Sequence, residues 1–154
     1  MAVQHVRYEA DGWGTGELVL EGGRLVWHEL PRPSRTPGSD PGVPLVHLLQ
    51  AYFAGERVSF DVVELDLDWC TPFQRAVADA LRGVPYGETV SYGELAALSG
   101  RPNAQRAAGT FCAQNRTPLV LPCHRVVAAG GIGSYGSLGI EYKQRLLELE
   151  GAAL

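Results

Sequence analysis

With 154 residues, 45% of them hydrophobic, the chain can bury one ordinary core or two small ones, and its composition is that of a soluble globular protein. No apolar run approaches the roughly 20 residues of a membrane helix, and Met1 to Ala10 lacks the basic-then-apolar layout of a secretory leader, so a membrane role is excluded and a cytoplasmic location expected. The formal charge of −4 argues against a nucleic-acid partner until it is divided. Residues 1–70 hold 5 Lys and Arg against 11 Asp and Glu, whereas residues 71–154 hold 8 against 6, so an anionic partner has its place in the second half. Cys70, Cys112 and Cys123 are odd in number and sparse, which argues against a disulfide framework and suits a reducing compartment.

Along the chain, Glu17 to Leu20 and Arg24 to Leu30 flank Glu21-Gly22-Gly23, which predicts a hairpin with glycine where positive φ is needed. Pro31, Pro33, Pro37, Pro41 and Pro44 then predict an exposed loop without regular structure. A helix follows, with Pro44 in its first turn, an apolar stripe of Leu45, Leu48, Leu49, Tyr52 and Phe53, and Gly55 as its cap. Val63, Leu65 and Leu67 alternate with Glu64, Asp66 and Asp68, the pattern of a strand with one wet face. No internal repeat is present.

The second half opens on Thr71-Pro72-Phe73-Gln74, a capping-box pattern, and Phe73, Val77, Ala80 and Leu81 form the stripe of a helix that ends at Gly83. Ser91-Tyr92-Gly93-Glu94 repeats the box for a short helix through Leu95 and Leu98 that stops at Gly100. After Pro102 and Asn103, the residues Ala104, Ala107, Ala108, Phe111 and Cys112 follow helical spacing again, so two short helices meet at a glycine-containing turn. This is a helix-turn-helix candidate, although αα-corners that bind nothing share the spacing. Arg106 lies about 200° around the helix from Ala104, away from the stripe, as a partner contact or a solvated charge. Gly109 and the alanines keep that helix slim enough for close approach to a partner.

Leu119-Val120-Leu121 ends at Pro122, and Cys123, His124 and Arg125 follow at once. A cysteine beside two potential cations is expected to have a lowered pKa and to favour the thiolate nucleophile, with a buried inert cysteine as the alternative. Zinc is disfavoured because no second Cys or His stands at the spacing of a structural site.

Asn115 to Arg125 reads Asn-Arg-Thr-Pro-Leu-Val-Leu-Pro-Cys-His-Arg and, with Val126, closely resembles the signature of the O6-alkylguanine-DNA alkyltransferase family. Phe73-Gln74, Pro85-Tyr86-Gly87-Glu88-Thr89, Ser91-Tyr92-Gly93, Arg106-Ala107-Ala108-Gly109, Gly133-Ser134-Tyr135 and Lys143 through Glu150 fall in the same family order. The resemblance covers the C-terminal half and is loose before it. It implies an α+β protein: residues 1–68 as a small ribonuclease-H-like sheet-and-helix domain, and residues 69–154 as a winged helix-turn-helix-like alkyltransferase domain. The implied activity is direct-reversal repair, an irreversible transfer of an alkyl group from O6 of guanine, with O4-alkylthymine as a second substrate, to the protein's own Cys123. No cofactor and no metal are implied, and the partner is double-stranded DNA entered from the minor groove by a monomer.

The resemblance makes Cys123 the acceptor, His124 the base that takes its proton through an ordered water, and Glu150 the group that orients His124. A separate observation points the same way for Glu150: Glu148 and Glu150 sit in the last turn before Gly151, where a helix dipole prefers cations, so a carboxylate there suggests a partner elsewhere, while Glu148 reads as solvated. Asn115 would hold the active-site turn, or be a helix cap; Tyr92 would place its hydroxyl near guanine N3, or be a first-turn aromatic. Arg106 would fill the space left by a flipped guanine. Tyr92, Ala104, Ala107, Gly109 and Arg125 complete the implied DNA-facing set, and Tyr135, Ser137, Cys112 and Val126 the implied substrate pocket.

Three departures stand out: Arg116 where the family usually has Pro, Ala78 where Trp is usual, and an unusual Gly136-Ser137-Leu138-Gly139 loop beside Tyr135. His5, His28 and His47 have no nearby cysteine and read as surface or structural residues. The rival readings are a non-catalytic alkyltransferase-like damage sensor, a transcriptional helix-turn-helix module and a cysteine hydrolase. Such sensors lack the acceptor cysteine, no further regulatory domain is expected in 154 residues, and a hydrolase would turn over repeatedly.

Overall fold

The computed structural model describes residues 2–33, 36 and 42–153. The expected proline loop falls largely outside them at Pro37 and Pro41. Contacts divide the chain into two units, residues 1–66 with 116–120 and residues 67–115 with 121–154.

The first unit is a three-stranded antiparallel sheet, β1 (Val3–Ala10), β2 (Gly14–Glu21) and β3 (Arg24–Arg32), with a helix α1 (Pro44–Phe53). Gly22 and Gly23 hold φ of 58° and 81°, the positive pair that a two-residue primed turn needs to match strand twist. β1 carries no early alternation; only Val6, Tyr8 and Ala10 sink inward, which is why the sequence pattern does not show it. On α1 the buried set is Leu45, Val46, Leu49, Tyr52 and Phe53, so Val46 takes the place expected of Leu48, which is half-buried. Trp13 packs on Phe53 at 5.0 Å between ring centroids and Tyr52 on Phe60 at 5.9 Å.

The expected strand over Val63 to Leu67 is reduced to a single parallel bridge between Leu25 and Leu65. Leu25 N donates to Glu64 O and Asp66 N to Leu25 O, at 2.8 and 3.1 Å. The alternation is nonetheless real, since Leu65 and Leu67 are buried. Residues 116–120 belong to this unit through His28, whose backbone N–H donates to Arg116 O at 2.8 Å. The His28 Nδ1 donates to Pro118 O at 2.8 Å, since a carbonyl only accepts, and Nε2 lies 2.6 Å from the Tyr8 hydroxyl. His28 is therefore structural. Leu119, inside this segment, holds φ at 76°, a strained value for a branched side chain that is 2% exposed.

The second unit contains α2 (Pro72–Arg82), β4 (Val90–Ser91), α3 (Tyr92–Leu98), α4 (Gln105–Ala113), a one-turn 3-10 segment (Cys123–Arg125), β5 (Val126–Val127), a second 3-10 turn (Gly136–Leu138) and α5 (Gly139–Leu149). Together the two units make an α+β protein. Both capping boxes form with both of their bonds, Thr71 with Gln74 and Ser91 with Glu94. β4 and β5 pair in parallel over two residues each, which ties the start of α3 to the end of the first 3-10 segment.

Several stripe positions differ from expectation. Leu98 is 64% exposed, and Leu95 and Ala96 supply the buried face of α3. Ala78 is fully buried on α2, whereas Phe73 is half-buried beneath the Arg101 guanidinium at 5.0 Å. On α4 only Ala108 and Phe111 are buried, with Phe111 stacked on Trp69 at 5.8 Å, and Ala107 is exposed.

Candidate active site

The apolar run 119–122 drives its chain inward, and the 3-10 turn then presents Cys123 with 4% of its surface exposed. Cys123 N donates to Leu121 O at 2.8 Å and Arg125 N to Pro122 O at 2.9 Å, which fixes the turn. Asn115, just beyond the C-cap of α4, clamps it from outside. Its Nδ2 donates to Leu121 O at 2.8 Å and to Cys123 Sγ at 3.1 Å.

On the other side of the turn, His124 Nε2 is 2.6 Å from Glu150 Oε2, and both side chains are fully buried. Glu150 accepts three further bonds: Gly87 N at 3.0 Å and Arg125 Nε at 2.9 Å on Oε1, and Arg125 Nη2 at 3.1 Å on Oε2. Burial works against its charge, but His124 and Arg125 outweigh it and hold the carboxyl far below the usual range. Gly87 has φ of 81°, and a Cβ there would come within 3.1 Å of Glu150 O, so glycine is required for that backbone donor to reach the carboxylate.

An ionised carboxylate can only accept, so Nε2 of His124 carries a proton and Nδ1 holds the lone pair of the neutral ring. Burial lowers the His124 pKa, the Glu150 carboxylate partly offsets this, and the Arg125 and Lys143 cations add to the lowering. Nδ1 is buried without a protein partner, a basic atom available for a proton.

The thiol contradicts the expectation of an acidic cysteine. Burial pushes the Cys123 thiol well up, Cys112 raises it further, and the Asn115 bond and the Lys143 charge only partly oppose them. The flanking cations that suggested a thiolate are spent elsewhere. His124 is neutral, and Arg125 points to Glu150 and, through Nη1, to Val84 O at 2.8 Å. Arg125 is 7% exposed and braces Glu150 from the interior, so its expected place on a DNA-facing surface is corrected.

A cavity of about 30 Å³ adjoins the sulfur, lined among others by Tyr92, Gly109, Cys112, Ser134 and Tyr135. It continues the surroundings of an open basin of about 730 Å³, whose walls include Tyr92, Asn103, Gln105, Arg106, Thr110 and Ser134. Tyr92 borders both spaces; burial, then Cys112 and Cys123, raise its pKa, and the Ser134 side chain partly opposes them. The Tyr135 hydroxyl is buried without a hydrogen-bond partner. Gly109 faces the Tyr92 ring, where an added Cβ would make an ordinary contact at 3.6 Å, so its slimness serves the cavity.

Two expected pocket residues lie outside the cavity. Ser137 is exposed on the second 3-10 turn, and Val126 is wholly buried, with its carbonyl turned to Lys143. Ala104 is the half-buried N-cap residue of α4, and neither it nor Ala107 walls the basin. Arg106 is exposed at the basin's edge. Glu148 is exposed and pairs with Gln144.

Lys143 is a site residue to which the sequence reading gave no role. It is fully buried, its Nζ donates to Val126 O at 2.5 Å and Ser134 O at 3.2 Å, and it lies 5.9 Å from the centre of the Tyr92 ring. The signal was there: Lys143, Leu146 and Leu147 share one stripe of α5, an unusual face for a lysine.

Chemically, a protonated thiol next to a neutral, oriented imidazole can release its proton as it attacks an electrophilic carbon, the equipment of a cysteine group-transfer protein. Residues 72–152 match the family described as 6-O-methylguanine DNA methyltransferase, DNA binding domain. A methylated-DNA--protein-cysteine methyltransferase of Mycobacterium tuberculosis is 51% identical over 124 residues, covering 77% of this chain and 72% of its own. The crystal structure of Mycobacterium tuberculosis O6-methylguanine methyltransferase aligns with a TM-score of 0.82 at 40% identity, over 97% of this chain and 93% of that one. Mycobacterium tuberculosis OGT in complex with DNA aligns at 0.79 and 39% identity, over 95% and 92%. The chain belongs to the 6-O-methylguanine DNA methyltransferase family.

Proposed function

We propose that this chain repairs O6-alkylguanine in double-stranded DNA by taking the alkyl group onto Cys123, once per molecule. The observation that carries the reading is the polarity of the His124 ring: Nε2 is bound to Glu150, and Nδ1 is left as the base within the buried turn that holds the thiol. As the sulfur attacks the alkyl carbon, the thiol proton passes to Nδ1, through a water as the family resemblance implies. The S–C bond forms, the C–O6 bond breaks, and its electron pair leaves on the guanine. Glu150 stabilises the imidazolium so formed, and Asn115 steadies the developing thiolate. Tyr92 donates a hydrogen bond toward guanine N3, which aids departure of the guanine anion; that anion then takes a proton from solvent.

A thioether offers no good leaving group, so the transfer is irreversible. The basin edged by Arg106, Asn103 and Gln105 is the entry for a flipped nucleotide, with Arg106 filling the stack from the minor groove. The chain acts as a monomer. A thiol acceptor has to remain reduced, which favours the cytoplasm, and no described helix is long and apolar enough to cross a membrane. Incubation with an O6-methylguanine duplex followed by intact-mass and peptide analysis tests the reading. One methyl group per molecule on the Cys123 peptide is expected, and methylation on Cys70 or repeated turnover would refute it.

A further inference from the structure

Cys112 is a nucleophilic side chain that the transfer chemistry leaves without a task. It sits in the last turn of α4, half-buried, and its thiol lines the same small cavity as Cys123. Both side chains border that cavity of about 30 Å³, and Cys112 is one of the neighbours that hold the Cys123 thiol in its protonated form. Cys70, the third cysteine, does not border this cavity.

We propose that Cys112 and Cys123 form a reversible dithiol–disulfide pair that protects the acceptor sulfur from hydroperoxides. Cys112 is the more exposed of the two, so an incoming hydroperoxide meets it first. The O–O bond breaks, an S–O bond forms at Cys112, and the alcohol or water leaves, which oxidises that sulfur to a sulfenic acid by two electrons. The Cys123 sulfur then attacks the Cys112 sulfur. An S–S bond forms, the S–O bond breaks, and the hydroxide departs as water with the Cys123 proton. Two thiols and one hydroperoxide thus give one disulfide, one alcohol or water, and one further water. Cys112 sits in the last turn of α4 and Cys123 in the 3-10 turn, and the cavity both border is about 30 Å³, the space of about one water, which is the gap an S–S bond of about 2.05 Å has to close.

The arrangement matters because a lone sulfenic acid proceeds to sulfinic acid, which is not recovered by thiols, whereas a disulfide is. The disulfide itself does not depend on the repair reading; only its consequence, a repair activity switched off until reduction, rests on it. The full-length reduced protein is treated with one equivalent of hydrogen peroxide, capped with iodoacetamide and measured by intact mass and peptide mapping. The expected product lacks two hydrogens, carries a cap only on Cys70, contains a linked Cys112–Cys123 peptide and reverts with dithiothreitol. Cys70→Ser should give the same linkage. In Cys112→Ser and in Cys112→Ala the two-hydrogen loss should vanish and oxygen should accumulate irreversibly on Cys123. A linkage through Cys70, persistence of the two-hydrogen loss in either Cys112 variant, or oxygen on wild-type Cys123 at the variants' rate would overturn the proposal. If the linkage forms but the reduced protein methylates nothing, the repair reading fails and the dithiol pair stands.

Discussion

Nε2 of His124 and Oε2 of Glu150 are 2.6 Å apart inside the protein, and the same carboxylate also receives Arg125 and the backbone of Gly87. Glu150→Gln removes the charge that four donors from three residues are arranged around and leaves the Arg125 guanidinium without its counter-charge. Breaking a buried pair in this way costs about 3–5 kcal/mol, so the variant should unfold at markedly lower urea at pH 7 and transfer alkyl groups slowly. Unchanged stability and rate would show that Glu150 is not the organiser of this site.

The acid dependence has a definite sign. The His124 pKa is lowered in the folded state, so between that value and the unfolded value of about 6.5 the unfolded chain binds more protons, and stability falls as pH drops below about 6.5. Glu150 is depressed from about 4.3, so its contribution is complete above that value and is lost as pH falls through and below the carboxylate range. Urea midpoints across pH 8 to 3 should therefore decline in two stages, and the gap between wild type and Glu150→Gln should close in the lower one. A flat profile between pH 8 and 5 would contradict a buried neutral His124.

For Cys123 the expected measurement is the reverse of what its flanking residues suggest. The rate of reaction with a small electrophile should report a thiol above the usual range of about 8.5. Asn115→Ala and Lys143→Met should move the profile to higher pH, because both groups favour the thiolate; Cys112→Ala should move it lower. Three identical profiles would remove these neighbours from the account.

How much of this was legible depended on how local each cause was. The capping boxes at Thr71 and Ser91 and the hairpin at Gly22 and Gly23 are settled by residues within a few positions, and the sequence displays them. β1 is set by pairing with β2 and shows only three inward residues, while the alternation over Val63 to Leu67 has just Leu25 to pair with. At the site, Cys123, His124 and Asn115 fall in one segment and could be named together. The burial of Arg125 and Lys143 is decided by Glu150 and by carbonyls at Val84, Val126 and Ser134, partners at distances that spacing does not reveal. The sign of the Cys123 shift is hidden from the sequence for the same reason, since it turns on where His124 and Arg125 point.

Arg106 is exposed on α4 at the rim of the basin, in reach of an incoming strand and apart from the sulfur. Arg106→Lys should slow repair of a duplex O6-methylguanine because Lys lacks the planar guanidinium that stacks, and Arg106→Ala should slow it further. Transfer from free O6-benzylguanine needs no flipping and should change little. Equal losses on both substrates would place Arg106 in the pocket or the fold instead.

Cys123→Ala should keep DNA binding and lose transfer, while Cys70→Ser should keep both. Wild-type repair should plateau at one lesion per protein molecule, read by counting residual lesions against a protein titration. A plateau that rises with time would exclude an irreversible acceptor.

Asn115 spends its one amide nitrogen on two acceptors, the Leu121 carbonyl at 2.8 Å and the Cys123 sulfur at 3.1 Å. Once that sulfur carries an alkyl group it is a thioether, a poor acceptor, and the group must also be housed beside a cavity of about 30 Å³. The amide then keeps the Leu121 carbonyl and loses its second acceptor, and a lost hydrogen bond of this kind costs about 0.5–1.5 kcal/mol. The spent molecule is thus softer than the fresh one, with its use recorded as a lower melting temperature and more frequent local opening. A protease that samples such openings would clear used copies before unused ones, with no dedicated tag.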